Sequence, residues 1–352
     1  GKRDGTVRSC NGGRILARLP VSRPQMTTAR RKSRVRDNRD GDASFVTVVG
    51  GANIDIHGRS TRALRPNDSN PGTVCISAGG VARNIAENLV RLGVDCRLIT
   101  AVGDDHNGRK LMRLTSEAGI DTQYVQEIAS AQTSTYLSVI DASGDMAVAI
   151  ADMDIIDQLT PARLRPCQSM LRQSSLIVLD TNLPDSTLAW LAREFAEQTL
   201  FVDTVSTAKA PRIKKHLGFI HTLKTSAIEA EALTGLEAKT TPQLEDVASQ
   251  LHAAGVERVF VTRGSLGVFY STADEQGTFN LSQKNLIVRN AGGAGDAFLA
   301  GLAFSWLEHH DLEKTLRVAL TAAELTLSDT ATSSSALSLT AIDQALEARD
   351  VS

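Results

Sequence analysis

Between residues 45 and 262, short runs of branched apolar side chains alternate with segments of helical character, and that alternation leaves the chain few architectures. Phe45-Val46-Thr47-Val48-Val49, Leu176-Ile177-Val178-Leu179, Leu200-Phe201-Val202, Phe219-Ile220 and Val259-Phe260-Val261 each read as a strand buried on both faces. Helical segments at 186–196 and 242–254 separate some of them. Val81, Ile85, Leu89 and Leu92 recur at helical spacing up to a stop at Gly93, and a strand at 94–101 follows. The pattern predicts an α/β fold, a mostly parallel sheet with helices on both faces. Two regions break the rhythm, 56–77 and 121–151. In the second, Thr135-Tyr136-Leu137-Ser138-Val139-Ile140 and Met146-Ala147-Val148-Ala149-Ile150 flank a turn at Ser143-Gly144-Asp145. These regions predict a small antiparallel accessory sheet. From Ala294 onward the chain reads as helical, with a Ser/Thr-rich loop at 331–338.

A chain of 352 residues with 42% hydrophobic content can bury a large core. Its net charge of -2 is unevenly spread: residues 1–40 hold 12 Lys/Arg against 3 Asp, so the remainder carries -11. Residues 1–44 lack an apolar period and read as a disordered basic arm outside the fold, which is assigned to 45–352. The arm is compatible with a nucleic-acid tether, an Arg-rich presequence or sequence ahead of a start at Met26. The overall charge gives no reason to expect nucleic acid as the main partner. No apolar run reaches the ~18 residues of a membrane span. Cys10, Cys75, Cys96 and Cys167 match neither a zinc spacing nor a disulfide scaffold. A cytoplasmic protein with reduced thiols, and no membrane partner, is the expectation.

The chemistry concentrates in Gly292-Gly293-Ala294-Gly295-Asp296-Ala297-Phe298. Small residues leave backbone N–H groups unobstructed, and a helix starting there turns its positive end toward an anion. Asp296 in the first helical turn is placed to accept a proton from an attacking hydroxyl. Alone, the run is equally a glycine turn with a carboxylate at a helix start. Elsewhere, Asn53-Ile54-Asp55 offers an amide and a carboxylate suited to vicinal hydroxyls, or simply an Asx turn. Thr262-x-Gly264-x-x-Gly267 offers backbone room beside a hydroxyl, or simply a β-turn.

Together these motifs resemble the ribokinase-like (PfkB) carbohydrate kinases. Gly293-Ala294-Gly295-Asp296 resembles one family signature, and Gly79-Gly80-Val81-Ala82-Arg83-Asn84-Ile85-Ala86 a second, in the right order. The resemblance implies a three-layer sandwich with a small β lid. It makes Asp296 the base and the amides of Gly293, Ala294 and Gly295 the anion hole. Asn53, Asp55, Gly79, Gly80 and Asn84 would bind the acceptor, and Thr262, Gly264 and Gly267 the nucleotide. The family's Asn-x-x-Glu element appears as Ser226-Ala227-Ile228-Glu229, with Glu229 kept for Mg2+ and Ser226 in place of the asparagine. Asn290 stands where many members carry Asp, and is expected to shape the loop or a K+ site. Val102-Gly103-Asp104-Asp105 with Gly108 is given a structural role in a turn.

Motif variants such as Asn53-Ile54-Asp55-Ile56-His57-Gly58 and Thr133-Ser134-Thr135-Tyr136-Leu137 are most similar to the pseudouridine kinases within the family. They imply ATP-dependent phosphorylation of a nucleoside 5′-hydroxyl, with Thr135 and Asp152 either reading the base edge or serving only strand pairing and a loop cap. Arg83 either reaches substrate or phosphate or, the favoured reading, sits in an ion pair on a helix surface; His57 either touches substrate or, the favoured reading, lies on a lid strand or the surface. The resemblance also implies a homodimer formed lid to lid. A kinase of another nucleoside or of a ribose-type sugar, and a non-catalytic nucleoside-binding regulator, are the competing readings. No Walker Gly-x-x-x-x-Gly-Lys-Ser/Thr, no His-Glu-x-x-His and no nucleophile elbow is present.

Overall fold

The computed structural model describes residues 44–281, 292–329 and 332–350. Its strands are β1 (Phe45–Val49), β2 (Asn53–Ser60), β3 (Gly72–Gly79), β4 (Asp95–Ile99), β5 (Ala101–Gly103), β6 (Gln126–Ile128), β7 (Thr135–Ile140), β8 (Met146–Asp152), β9 (Leu176–Asp180), β10 (Leu200–Asp203), β11 (Thr222–Ser226), β12 (Arg258–Thr262), β13 (Val268–Ser271) and β14 (Gln276–Phe279). Its helices are α1 (Val81–Arg91), α2 (His106–Glu117), α3 (Pro161–Leu164), α4 (Gln168–Gln173), α5 (Asp185–Glu194), α6 (Ala227–Thr234), α7 (Thr241–Ala253), α8 (Ala294–Leu307), α9 (Leu312–Leu327) and α10 (Leu339–Asp350).

Among the described residues an eight-stranded sheet runs in the order β14-β13-β12-β11-β10-β9-β1-β4. It is parallel from β4 to β12, and the hairpins to β13 and β14 make that edge antiparallel. Both faces are covered. Val46, Val48, Val178, Phe201 and Phe260 pack with α1, α8 and α9, while Val49, Ile177, Val202 and Val261 pack with the helices opposite. Two covered faces are the reason these strands read as unbroken apolar runs.

The expected strand at Phe219-Ile220 is displaced. Residues Ala210–Phe219 form a 3-10 segment, and the strand is β11, beginning at Thr222. Thr222, Lys224 and Thr225 are buried in β11, and a strand that carries polar groups inward lacks the apolar signature. The predicted strand at 94–101 breaks at Thr100, so that β5 pairs with β6 instead of extending β4.

The second sheet has the order β3-β2-β7-β8. Each hairpin is antiparallel, and β2 meets β7 in a parallel seam. The Ser143-Gly144-Asp145 turn closes on Asp141, whose Oδ1 accepts from the N–H groups of Ser143 and Asp145 at 2.9 and 3.0 Å. β2 leaves β1 through Gly50 and Gly51, and β3 returns the chain directly into α1 at Gly80. There φ is 100°, and a Cβ would lie 2.5 Å from Ala52 Cα, so only glycine fits. Asp105 caps α2: it accepts from Gly108 N at 2.6 Å and also holds Thr133, the structural role expected of that segment. No helix among the described residues is long and apolar enough to cross a membrane.

Candidate active site

The carboxyl edge of the main sheet gathers charge. Asp180 on β9, Asp203 on β10 and Lys224 on β11 are register neighbours on adjacent strands, and all three are buried. This edge of an open parallel sheet is where ligands bind. Asp180 accepts from the backbone N–H groups of Gly51 at 2.8 Å, Ala82 at 3.1 Å and Asn182 at 2.9 Å, tying the β1 exit to the start of α1. Lys224 Nζ donates to Asp203 Oδ2 at 2.9 Å. Burial pulls the pKa of the ammonium down, but Asp203, Asp296 and Glu229 outweigh it, leaving the pKa raised and the group charged.

Asp296 stands in the first turn of α8. The N-cap is Gly293 at φ 79°, a residue with no side chain to bond the leading N–H groups, and the positive end of a helix favours an anion. A Cβ on Gly293 would sit 1.8 Å from Thr332 O, which makes glycine obligatory. Asn84 Nδ2, from α1, donates to Asp296 Oδ2 at 2.9 Å. Burial raises the Asp296 carboxyl to about 8; Asp203 and Asp180 push the same way, while Lys224 and Asn84 oppose them. A carboxylate whose proton affinity lies near neutral pH is suited to general-base work.

The residues expected to bind the acceptor meet at the start of β2. Asn53 Nδ2 donates to Asp55 Oδ1 at 2.6 Å, and both side chains are buried. Burial raises the Asp55 carboxyl, against the pull of Asn53, His57 and Arg83. A Cβ at Gly79 would meet Asp55 Oδ2 at 2.0 Å, so this glycine lets the carboxylate pass. Of the residues expected to bind the nucleotide, Ser226 and Thr262 are register neighbours ending β11 and β12. Gly264 and Gly267 follow in a tight turn with φ values of 57° and 78°. Glu229 Oε2 accepts from Ser226 N at 2.9 Å and Thr204 Oγ1 at 2.7 Å, so its orientation is fixed although Ser226 replaces the expected amide.

Other expected residues fall elsewhere. Thr135 pairs in register with Ile54 and with Asp152, and Asp55 pairs with Tyr136, so the strand alternation puts Thr135 and Asp152 on the sheet face opposite Asp55. His57 shares the Asp55 face, where its Nδ1 bonds Ser138 Oγ at 2.6 Å and its ring meets Tyr136 edge-on. Arg83 is not on a helix surface: it is 5% exposed and paired to Glu87 at 2.7 Å, because α1 is buried along most of its length. Asn290 and residues 1–43 of the basic arm lie outside the described residues. Sequence reasoning missed Asp180, Asp203, Lys224 and Thr204. The available signal was a charged residue ending or interrupting a buried strand, as in Leu200-Phe201-Val202-Asp203.

Among the described residues no group of three or more His, Cys, Asp or Glu is placed to hold a metal. The single oriented carboxylate of Glu229 nevertheless fits a hard divalent cation that takes one or two carboxylates and fills its shell with phosphate oxygens and water.

The family model "pfkB family carbohydrate kinase" matches residues 43–339. Pseudouridine kinase of Escherichia coli (strain K12) is 35% identical over 287 residues, 82% of this chain and 91% of that protein. Ribokinase of Haemophilus influenzae is 25% identical over 80% of this chain and 92% of its own length. Among solved structures, a carbohydrate kinase from Agrobacterium tumefaciens aligns with a TM-score of 0.76 at 30% identity, covering 86% of this chain and 97% of that one. Arabidopsis thaliana ribokinase complexed with ribose and ATP aligns with a TM-score of 0.78 at 22% identity, covering 87% and 99%. A family match over most of the chain and a relative 35% identical over 82% of it establish a phosphotransferase acting on an alcohol group of a sugar or nucleoside: the chain belongs to the PfkB family of carbohydrate kinases.

Proposed function

We propose that this kinase transfers the γ-phosphoryl group of ATP to the 5′-hydroxyl of pseudouridine. The observation that carries the reading is the Asn84–Asp296 hydrogen bond, which joins the acceptor motif on α1 to the base on α8. The likeness to pseudouridine kinase over 91% of that protein supports the choice of nucleoside.

In this reading Asn53, Asp55, Asn84 and the Gly79-Gly80 backbone hold the ribose. Asp296 takes the proton of the 5′-hydroxyl as O5′ forms its bond to the γ-phosphorus. The bond from that phosphorus to the β,γ-bridging oxygen breaks, and its electron pair leaves on ADP. The amides of Gly293, Ala294 and Gly295 face the charge on the transferring group. Ser226, Thr262, Gly264 and Gly267 line the nucleotide side. Mg2+, oriented through Glu229, offsets charge on the phosphates when bound. Asn290 keeps its expected part in shaping the loop or a K+ site, with K+ as the monovalent cation of that reading.

The second sheet acts as a lid and as a dimer face. Ile76, Ile56, Leu137 and Ile150 form one register row across it, and Val74, Gly58, Val139 and Val148 the next. Val74 is 70% exposed and Ile150 61%, an aliphatic patch with open edges at β3 and β8 that a second copy of the chain would cover.

The test is ADP release with pseudouridine, uridine, adenosine and ribose as acceptors. Pseudouridine is expected to give the highest kcat/KM. A preference for ribose or adenosine would overturn the substrate assignment and leave the kinase assignment standing.

A further inference from the structure

Of the three charges at the sheet edge, Asp180 is committed to three backbone N–H groups and fastens the β1 exit to α1. Asp203 and Lys224 have no such duty. Asp203 Oδ2 receives Lys224 Nζ at 2.9 Å, and its Oδ1 receives the N–H of Val205 at 2.8 Å. Val205 holds φ at 60°, a left-handed conformation that a β-branched residue adopts only under strain. The fold therefore sustains a strained turn whose visible product is the orientation of the Asp203 carboxylate. Lys224 Nζ in turn occupies the place of a missing side chain in the anion-hole loop: a Cβ on Gly295 would lie 2.5 Å from it. Placing an alkyl-ammonium stem and a carboxylate in the interior is costly for each ion before pairing. An apolar pair would fill the same space.

We propose that Asp203 and Lys224 are positioning residues for Asp296, an ion pair held against the anion-hole loop that decides when this aspartate keeps its proton. The inference rests on Asp296 being the base. The charged groups that face Asp296 are Asp203 from β10, Lys224 from β11 and Asp180 from β9, with neutral Asn84 from α1; Glu229 from α6 acts on Lys224. Asp203 strengthens the hold of Asp296 on its proton, and Lys224 weakens it. The two members of the pair thus act in opposite directions, which separates this role from that of a structural brace.

The experiment is a pH profile of kcat/KM together with a carbon-13 titration of labelled Asp carboxyls, in which the Asp296 signal is identified by its loss in Asp296→Asn. Asp203→Asn, which preserves shape, should move both the acid limb and the Asp296 titration to lower pH by about one pH unit or more. Lys224→Met should move both upward, and Lys224→Arg should return them toward the parent values. The double variant Asp203→Asn/Lys224→Met leaves no unpaired charge and should fall between the two. Titrations that stay in place, or move in the same direction for both single variants, overturn the proposal. The carboxyl titration needs no turnover, so it answers this question even if Asp296→Asn retains activity, a result that would overturn the base assignment instead.

Discussion

Asn84 Nδ2 lies 2.9 Å from Asp296 Oδ2, although 212 positions separate the two residues in the chain. The bond orients the carboxylate and favours its charged form, so losing either partner harms the same step. Asp296→Asn is expected to lower kcat/KM at least ~100-fold, as for a lost general base. Asn84→Ala, which leaves the carboxylate in place but unheld, should cost about 10- to 100-fold and lift the acid limb of the profile. Steady-state kinetics with saturating ATP check both; Asn84→Ala at parent activity would contradict the arrangement.

The same carboxylate is a burden on the fold. Its pKa in the folded protein, about 8, lies above the ordinary 3.8, so folding favours the protonated form. That contribution is whole below pH 4 and is lost as pH rises through 8. Asp296→Asn removes the titration. Its melting temperature should exceed the parent's by a margin that grows from pH 4 to pH 8 and then levels off, as measured by calorimetry across that range. A margin independent of pH would show that Asp296 is not held as described.

Two glycines with different surroundings separate site geometry from backbone strain. A Cβ at Gly79 would collide with Asp55 Oδ2 at 2.0 Å, whereas one at Gly235, at φ 81°, meets nothing within 4 Å. Gly79→Ala should therefore raise the acceptor KM at least about tenfold by displacing a substrate-side carboxylate. Gly235→Ala should cost about 1 kcal/mol of stability through its left-handed backbone and leave kcat/KM unchanged. Equal kinetic losses in the two variants would refute the assignment of Asp55.

The main sheet was legible because β1, β9 and β12 are buried on both faces and carry almost nothing polar. β11 was not, since Thr222, Lys224 and Thr225 interrupt it for the sake of the site. Asp296 and Asn84 were legible as members of contiguous motifs. Asp203 and Lys224 belong to no motif, and only strand register makes them neighbours. For Thr135 and Asp152 the face was not legible: side chains on a strand change face at every residue, and sequence gives the strand but not which parity turns inward.

Ile150 and Val148 stand in the two apolar rows of the second sheet, both well exposed in the single chain. A carboxylate there would be buried without a partner in a lid-to-lid dimer and would be harmless in a monomer. Ile150→Asp is expected to halve the mass seen by light scattering at micromolar concentration and to weaken acceptor binding. A parent protein that is already monomeric under these conditions would refute the dimer.

His221 offers a test of the core away from the site. Its ring stacks on Phe201 at 5.6 Å between centroids and meets Trp306 at 4.2 Å, while Nδ1 bonds Thr222 Oγ1 at 2.8 Å. Burial, then the nearby Arg258 charge, lowers its pKa to about 4 from 6.5. The folded state thus holds the ring neutral where the unfolded chain would protonate it. The stability it provides is complete above pH 6.5 and is lost as pH falls toward 4, with a slope of at most about 1.4 kcal/mol per pH unit. Denaturant titrations of the parent and of His221→Gln should run parallel above pH 7 and converge as pH falls from 6.5 to 4, because only the parent must give up a proton to fold. Curves that stay parallel through that window would mean that the ring is protonated within the folded stack.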